Sequence, residues 1–414
     1  MSMPDASPTE ESLLPWGFIN LNQYQVPSEP THEAMRAGIL GIWDRLKQAR
    51  SSPETPTIEI DLEAMPGDLL AQAAPAPDWS EGVPALHQAL QDWWQERSGR
   101  IQVLVGAPHS GTAEMASHWA AAFQARILPD PSLEQIKSGG REWLEQLDQS
   151  PDQVWVIPRL ERLYLRHSQG FGLLRALIDK ISMLPGRVLV VCDSWAWAYL
   201  GKGLHLEALW PQPLVLKAFD QVRLDRWFRG LAAGTPGKGF IFRQADSEKL
   251  VVRLDEMARE KLGEQGVTDF LQRLAAFSRG IPGVAYTIWR YSLGLARDKD
   301  EEEAEHEKAK IDDGLHKTIW VEPWSHLELP SLPNLDPRGR EIFVLHTLLL
   351  HDGLPGELLV QILPFPESQT QDSLHLLRRA GVLGRDQDRW RVTAWGYPAV
   401  RKYLANEGYL VDAL

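Results

Sequence analysis

The sequence has little with which to build covalent or metal cross-links. One of its 414 residues is a cysteine, Cys192, which excludes an intramolecular disulfide and a cysteine-based zinc site. No apolar run approaches the ~20 residues that a membrane-spanning helix needs. The opening Met1 to Glu11 is polar and acidic, unlike a secretory signal, so a cytoplasmic location is expected. Positive charge is not in excess: 43 Lys+Arg stand against 56 Asp+Glu, a net charge of −13. That removes a chain-wide basic footprint for nucleic acid or an anionic membrane. The histidines show no H-E-x-x-H spacing, and no Gly-x-Ser-x-Gly nucleophile elbow occurs. No catalytic residue and no metal ligand is assigned.

What is present is the balance of a folded protein, with 43% hydrophobic and 24% charged residues over enough length for two or three domains. The 17 tryptophans are read first as large packing residues. Residues 1–56 form an N-terminal arm and helix. The arm is polar except for Leu14 to Leu21, whose Trp16, Phe18 and Ile19 could pin it to a surface, and Thr31 to Ala49 has helical spacing. Residues 57–220 read as an α/β domain. Thr57 to Leu62 alternates as a strand, Val83 to Arg97 is an amphipathic helix, and Ile101 to Val105, Val154 to Ile157, Arg187 to Val191 and Pro213 to Lys217 are short apolar strands between helices. Strands alternating with helices imply a mainly parallel sheet covered on both faces. Residues 221–297 read as an all-helical subdomain, and 298–337 as a charged and Pro-rich linker that includes the run Asp298 to Lys310. Residues 338–414 read as three helices followed by a β-hairpin and a last helix, the order of a winged helix-turn-helix.

The informative segment is Gly106-Ala107-Pro108-His109-Ser110-Gly111-Thr112-Ala113, between a strand and a helix. A phosphate loop reads G-x-x-x-x-G-K-[ST] in that setting. Gly106 and Gly111 match its spacing. Thr112 stands in place of the lysine that neutralises the β- and γ-phosphates, and Ala113 in place of the hydroxyl that holds Mg²⁺. The amides around Gly106, Ser110, Gly111 and Thr112 remain a vestigial anion cradle. Pro158 follows the strand Val154 to Ile157 where a metal-organising acid belongs, and Glu161 is the nearest carboxylate. Asp193 and Ser194, after the strand ending at Val191, are sensor-like. Lys202 or Arg187 could compensate for one loss by reaching in.

With these motifs the chain resembles an AAA+/STAND-type P-loop ATPase: Gly loop, hydrophobic strand, sensor strand, a helical lid with the Gly280-Ile281-Pro282 motif, and a winged helix. The resemblance implies a P-loop NTPase-like parallel sheet with a helical lid. The basic residue usual after Gly-x-Pro falls near Gly283, which is not basic. With lysine, hydroxyl, acid and lid arginine all missing, the expectation is a non-catalytic pseudo-ATPase with no bound cofactor, ATP binding being doubtful. It would act as a regulatory or scaffold protein through protein–protein contacts, in a complex with an active ATPase. The alternatives are an NTPase with a displaced catalytic set and a winged-helix DNA-binding regulator. Arg159, Arg162 and Arg166, at helical spacing, and Arg378 and Arg379, at the end of the recognition helix, are the candidate partner or DNA contacts. DNA is not favoured, because residues 338–414 hold nine Lys/Arg and nine Asp/Glu.

Overall fold

The computed structural model describes residues 15–28, 60–95, 99–147, 150–167, 170–233, 239–254, 265–297, 316–333, 335 and 339–414. The helix expected over 31–49 and the charge run 298–310 lie outside the described residues. The chain folds into two compact units. One contains Trp16–Gln25, Asp78–Lys217 and Leu329–Leu414; the other contains Met1–Pro15, Val26–Pro77 and Ala218–Glu328.

The first unit is built on a six-stranded sheet. Its strands are β1 (Phe18–Asn20), β2 (Ile101–Gly106), β3 (Arg126–Ile127), β4 (Val154–Ile157), β5 (Arg187–Asp193) and β6 (Leu214–Leu216), in the order β1-β6-β2-β5-β4-β3. The strands β2 to β6 run parallel, and β1 closes one edge antiparallel. The parallel strands are apolar runs because both faces are covered: Val103 to Val105, Val156, Ile157 and Val188 to Val191 are buried. The α/β architecture is as expected. The arm docks on its own sheet, Phe18 opposite Leu216 and Asn20 opposite Leu214, while buried Trp16 meets Trp79 edge-on at 6.1 Å.

The same unit carries the C-terminal segment. Helices Arg340–Leu350, Gly356–Ile362 and Glu367–Arg379 precede a hairpin, and helix Tyr397–Asn406 follows it. The hairpin strands β8 (Leu383–Asp386) and β9 (Arg389–Val392) are joined by β7 (Leu354–Pro355), from between the first two helices, in a three-stranded antiparallel sheet. This is the winged helix, with β7 as the element that periodicity could not supply.

The second unit corrects the reading of 221–297 as all-helical. Helices Gln221–Ala232, Phe270–Phe277 and Pro282–Ser292 are present, and Pro282 opens its helix as expected. They accompany a four-stranded sheet in the order Leu62–Ala64, Leu293–Ala296, His316–Val321, Gly239–Gln244. Of the strand expected over 57–62 in the α/β domain, 57–59 lie outside the described residues and Ile60 and Asp61 are not in a strand; the strand observed, Leu62–Ala64, belongs to this second sheet. Here the tryptophans pack: Trp289 stacks on Phe228 at 4.7 Å and meets Phe242 edge-on at 5.0 Å. Aromatic pairs of this kind add about 0.5–1.5 kcal/mol beyond their burial. Among the described residues no helix is long and apolar enough to cross a membrane.

Candidate functional site

The Gly loop leaves the end of β2, at the centre of the sheet, and enters the helix Thr112–Ala122. Its backbone closes on itself. The Ser110 N–H and hydroxyl both donate to the Ala107 carbonyl, at 3.1 and 2.6 Å. The Ser110 and Thr112 hydroxyls are 3.2 Å apart, and both residues are buried. A Cβ built on Gly106 would lie 1.8 Å from the Thr112 hydroxyl oxygen, so that side chain occupies the inner face of the loop. Gly111, at φ 74, would place a Cβ 2.2 Å from the Trp79 ring, and glycine alone satisfies both demands there. The four residues named for the cradle are therefore brought together, and the Ser110 and Thr112 hydroxyls turn to the loop's own atoms.

The sensor-like residues are also satisfied from within. Asp193 ends β5 beside Gly106, caps the helix Ser194–Leu204 through the Trp195 N–H at 2.8 Å, and donates its own N–H to Glu161 at 3.0 Å. The Ser194 hydroxyl donates to Asp412 at 2.5 Å. Asp412 is fully buried and is also held by Arg401 at 2.9 Å. Burial, and the Glu161 carboxylate, push Asp193 well above the usual aspartate range. Burial, with Asp352 nearby, raises Glu161 to about 7. The compensating cations do not arrive: Arg187 begins β5, at the end of the strand remote from the loop, and Lys202 is exposed in the last turn of its helix.

The three arginines do not share a helical face. Arg159 is extended (φ −147, ψ 82), and only a short 3-10 turn, Leu160–Arg162, follows it. What they share is the winged helix. Asp352 lies in ion-pair range of Arg162, at 3.6 Å, and of Arg159, at 3.8 Å, and pairs with Arg391 of β9. Arg159 also binds Glu114 at 2.7 Å, and Arg162 binds Asp130 at 2.6 Å. The Arg166 N–H donates to His351 Nε2 at 3.3 Å, and its guanidinium lies 3.3 Å from His346. The Tyr164 hydroxyl donates to the Leu350 carbonyl at 2.8 Å. His109, at the crown of the Gly loop, meets Tyr397 edge-on and is hydrogen-bonded to the Val392 backbone. The winged helix thus covers the crown of the loop. Arg378 and Arg379 lie apart from this cluster, exposed at the end of the Glu367–Arg379 helix.

Residues missed by sequence reasoning carry this joint: Asp352, His351, His346, Tyr397 and Asp412. Nothing in their spacing relates them to partners nearly two hundred residues earlier. Among the described residues no group of histidine, cysteine and carboxylate side chains could hold a metal ion.

The joint titrates. Burial lowers His109, His346 and His351 from 6.5 to about 4, aided by Arg391, by Arg166, and by Arg389 with Arg166, respectively. Depressed histidines favour the docked state above 6.5, and that contribution is lost as pH falls from 6.5 through about 4. The raised Glu161 acts oppositely: its contribution is present at low pH and is lost as pH rises from 4.5 through about 7. Asp193 has the same sign as Glu161. Three histidines against two carboxylates leave a net loss on the acid side, and Glu161 acts through pH 7. Thermal unfolding against pH is therefore expected to peak near pH 6.5, and Glu161→Gln is expected to flatten the alkaline limb. Stability that rises steadily from pH 6 to 9 would contradict this account.

No family model and no curated protein matches the chain. Solved structures do, at low identity. The Walker-type ATPase PABY2304 of Pyrococcus abyssi is 12% identical, over 83% of this chain and 99% of that one, with a TM-score of 0.24. Cdc6p from Pyrobaculum aerophilum is 12% identical over 83% and 100%, with a TM-score of 0.28. The Aeropyrum pernix ORC2 protein, solved in ADPNP–ADP complexes, is 13% identical over 94% and 97%, with a TM-score of 0.27. The chain is similar to these proteins at low identity, and the α/β core with its C-terminal winged helix is carried by its own strand order and sheet pairing.

Proposed function

We propose that the chain is a pseudo-ATPase: a non-catalytic regulatory or scaffold protein that keeps the P-loop fold and acts through protein–protein contacts. The observation that carries this reading is the filled loop, with Thr112 on Gly106 and the crown held beneath Tyr397. Phosphate binding needs that interior, and Mg²⁺ chemistry needs ligands that Ala113 and Pro158 cannot supply. The reading of Arg159, Arg162 and Arg166 as contacts for another molecule loses support, since all three engage the chain's own groups.

The DNA-binding alternative is weakened by the same joint. Arg389, Arg391 and Arg401 turn inward, which among the described residues leaves Arg340 half-buried and Arg378, Arg379, Arg385 and Lys402 exposed, in a segment that also carries Glu357, Glu367, Asp372, Asp386, Asp388 and Glu407. Such a surface offers little counterion release. The purified chain is expected to give no saturable ATP binding by calorimetry and no hydrolysis above background. Turnover of about 1 s⁻¹, within the ordinary enzyme range, following the protein through gel filtration would overturn the reading.

A further inference from the structure

A cavity of about 310 Å³ lies outside the Gly loop, where helix Leu133–Ser138 and the Glu161–Leu165 segment face Leu354, Leu358 and the turn between β8 and β9. Much of its wall is apolar, formed by Leu133, Ile136, Leu354 and Leu358. Two guanidiniums line it, and they are in different states. Arg162 is neutralised by Asp130 at 2.6 Å. Arg389 donates once, to the Gly353 carbonyl at 2.6 Å, and its buried Nε has no partner. Among the described residues it has no carboxylate in ion-pair range. Its nearest carboxylates, Asp352 and Asp130, are paired with other arginines, which leaves part of its fork unfilled, and a guanidinium fork matches a carboxylate.

We propose that this cavity binds a small aliphatic monocarboxylate, with Arg389 anchoring the carboxylate and the leucine and isoleucine side chains holding the hydrocarbon. The apolar wall selects a hydrocarbon body over an inorganic anion. Asp130, Glu161, Glu357 and Asp388 also line the cavity and oppose each added negative charge, so one is favoured over two. Burial, with Arg162 nearby, depresses the Arg389 pKa, Asp352 and Asp130 offset this only in part, and an arriving carboxylate adds to that offset. The wall comes from the α/β domain and from the winged helix, so an occupant stabilises the docked state by mass action. The site is independent of the nucleotide reading, and either can fail without the other.

The test is calorimetric titration and thermal unfolding of the full chain with hexanoate, against hexanol, hexylamine and inorganic phosphate. Hexanoate is expected to saturate and to raise the melting temperature, with the three comparators at least about tenfold weaker. Arg389→Gln is expected to weaken hexanoate by about tenfold or more. Leu358→Trp fills the cavity from a half-buried wall position while keeping Arg389, and is expected to abolish binding. If Arg389→Gln does not fold, Leu358→Trp and the comparators decide. No saturation by hexanoate, equal binding of phosphate or hexylamine, or unchanged affinity in Leu358→Trp overturns the proposal.

Discussion

Asp352→Asn is expected to loosen the winged helix and to lower the melting temperature by several degrees. Asp352 is the carboxylate shared by Arg159, Arg162 and Arg391, and its side chain is 14% exposed. Removing one partner of a buried ion pair costs about 3–5 kcal/mol, because the opposite charge stays behind uncompensated. The arginines here are 17–27% exposed, and solvent screening reduces the expectation to about 2–3 kcal/mol. Asparagine is the right replacement because residue 352 has a φ of 46, a left-handed conformation that Asn tolerates as Asp does. The loss then reports charge and not backbone strain. Hydrogen exchange should rise in Arg340–Leu350 and in β9 before it rises in β2 and β5. A melting temperature within one degree of the parent would show that the tripod of arginines contributes nothing to docking.

Gly106→Ala is expected to destabilise the chain at the upper end of the ~1–3 kcal/mol that overpacking costs. The new Cβ would meet the Thr112 oxygen at 1.8 Å, the Thr112 Cβ at 2.8 Å and the Ser110 oxygen at 2.9 Å, all on side chains without room to move aside. Thr112→Ala removes the nearer atom. The Thr112 Cβ and the Ser110 oxygen remain, so the double variant should recover part of the loss, a coupling that urea titrations of the four proteins would measure. A loop whose interior is open predicts no rescue. This cycle tests occupancy of the loop with no nucleotide present, so it stands apart from any assay of ATPase activity.

The α/β core was legible because its signals are local. Val154 to Ile157 and Arg187 to Val191 are apolar runs flanked by helical spacing, and such runs have few destinations other than a covered parallel sheet. The helices Arg340–Leu350 and Gly356–Ile362 were readable residue by residue, since each alternates apolar stripes with turn signals. That Thr112 and Pro158 stand where a phosphate loop would carry a lysine and an acid was readable in the same way, because a motif is a matter of position along the chain. Local spacing also misled. Arg159, Arg162 and Arg166 have the period of a helix, yet Arg159 is extended and only a 3-10 turn follows, so their directions are set by their partners.

Sequence by itself thus determined the apolar strands of the α/β core, the helices of the C-terminal segment and the residues of the Gly loop. Tertiary structure alone decided what fills and covers the loop. Thr112 sits on Gly106 because the turn from β2 into the following helix folds it inward, which no residue list conveys. Asp352 reaches Arg159 and Arg162, His351 reaches Arg166, and Asp412 reaches Ser194 across separations of about two hundred residues. Polar pairs at that distance leave no periodic trace in sequence. Hydrophobic burial is non-directional and repeats with the geometry of helix and strand, whereas an ion pair or a hydrogen bond depends on two side chains meeting at one point in the finished fold.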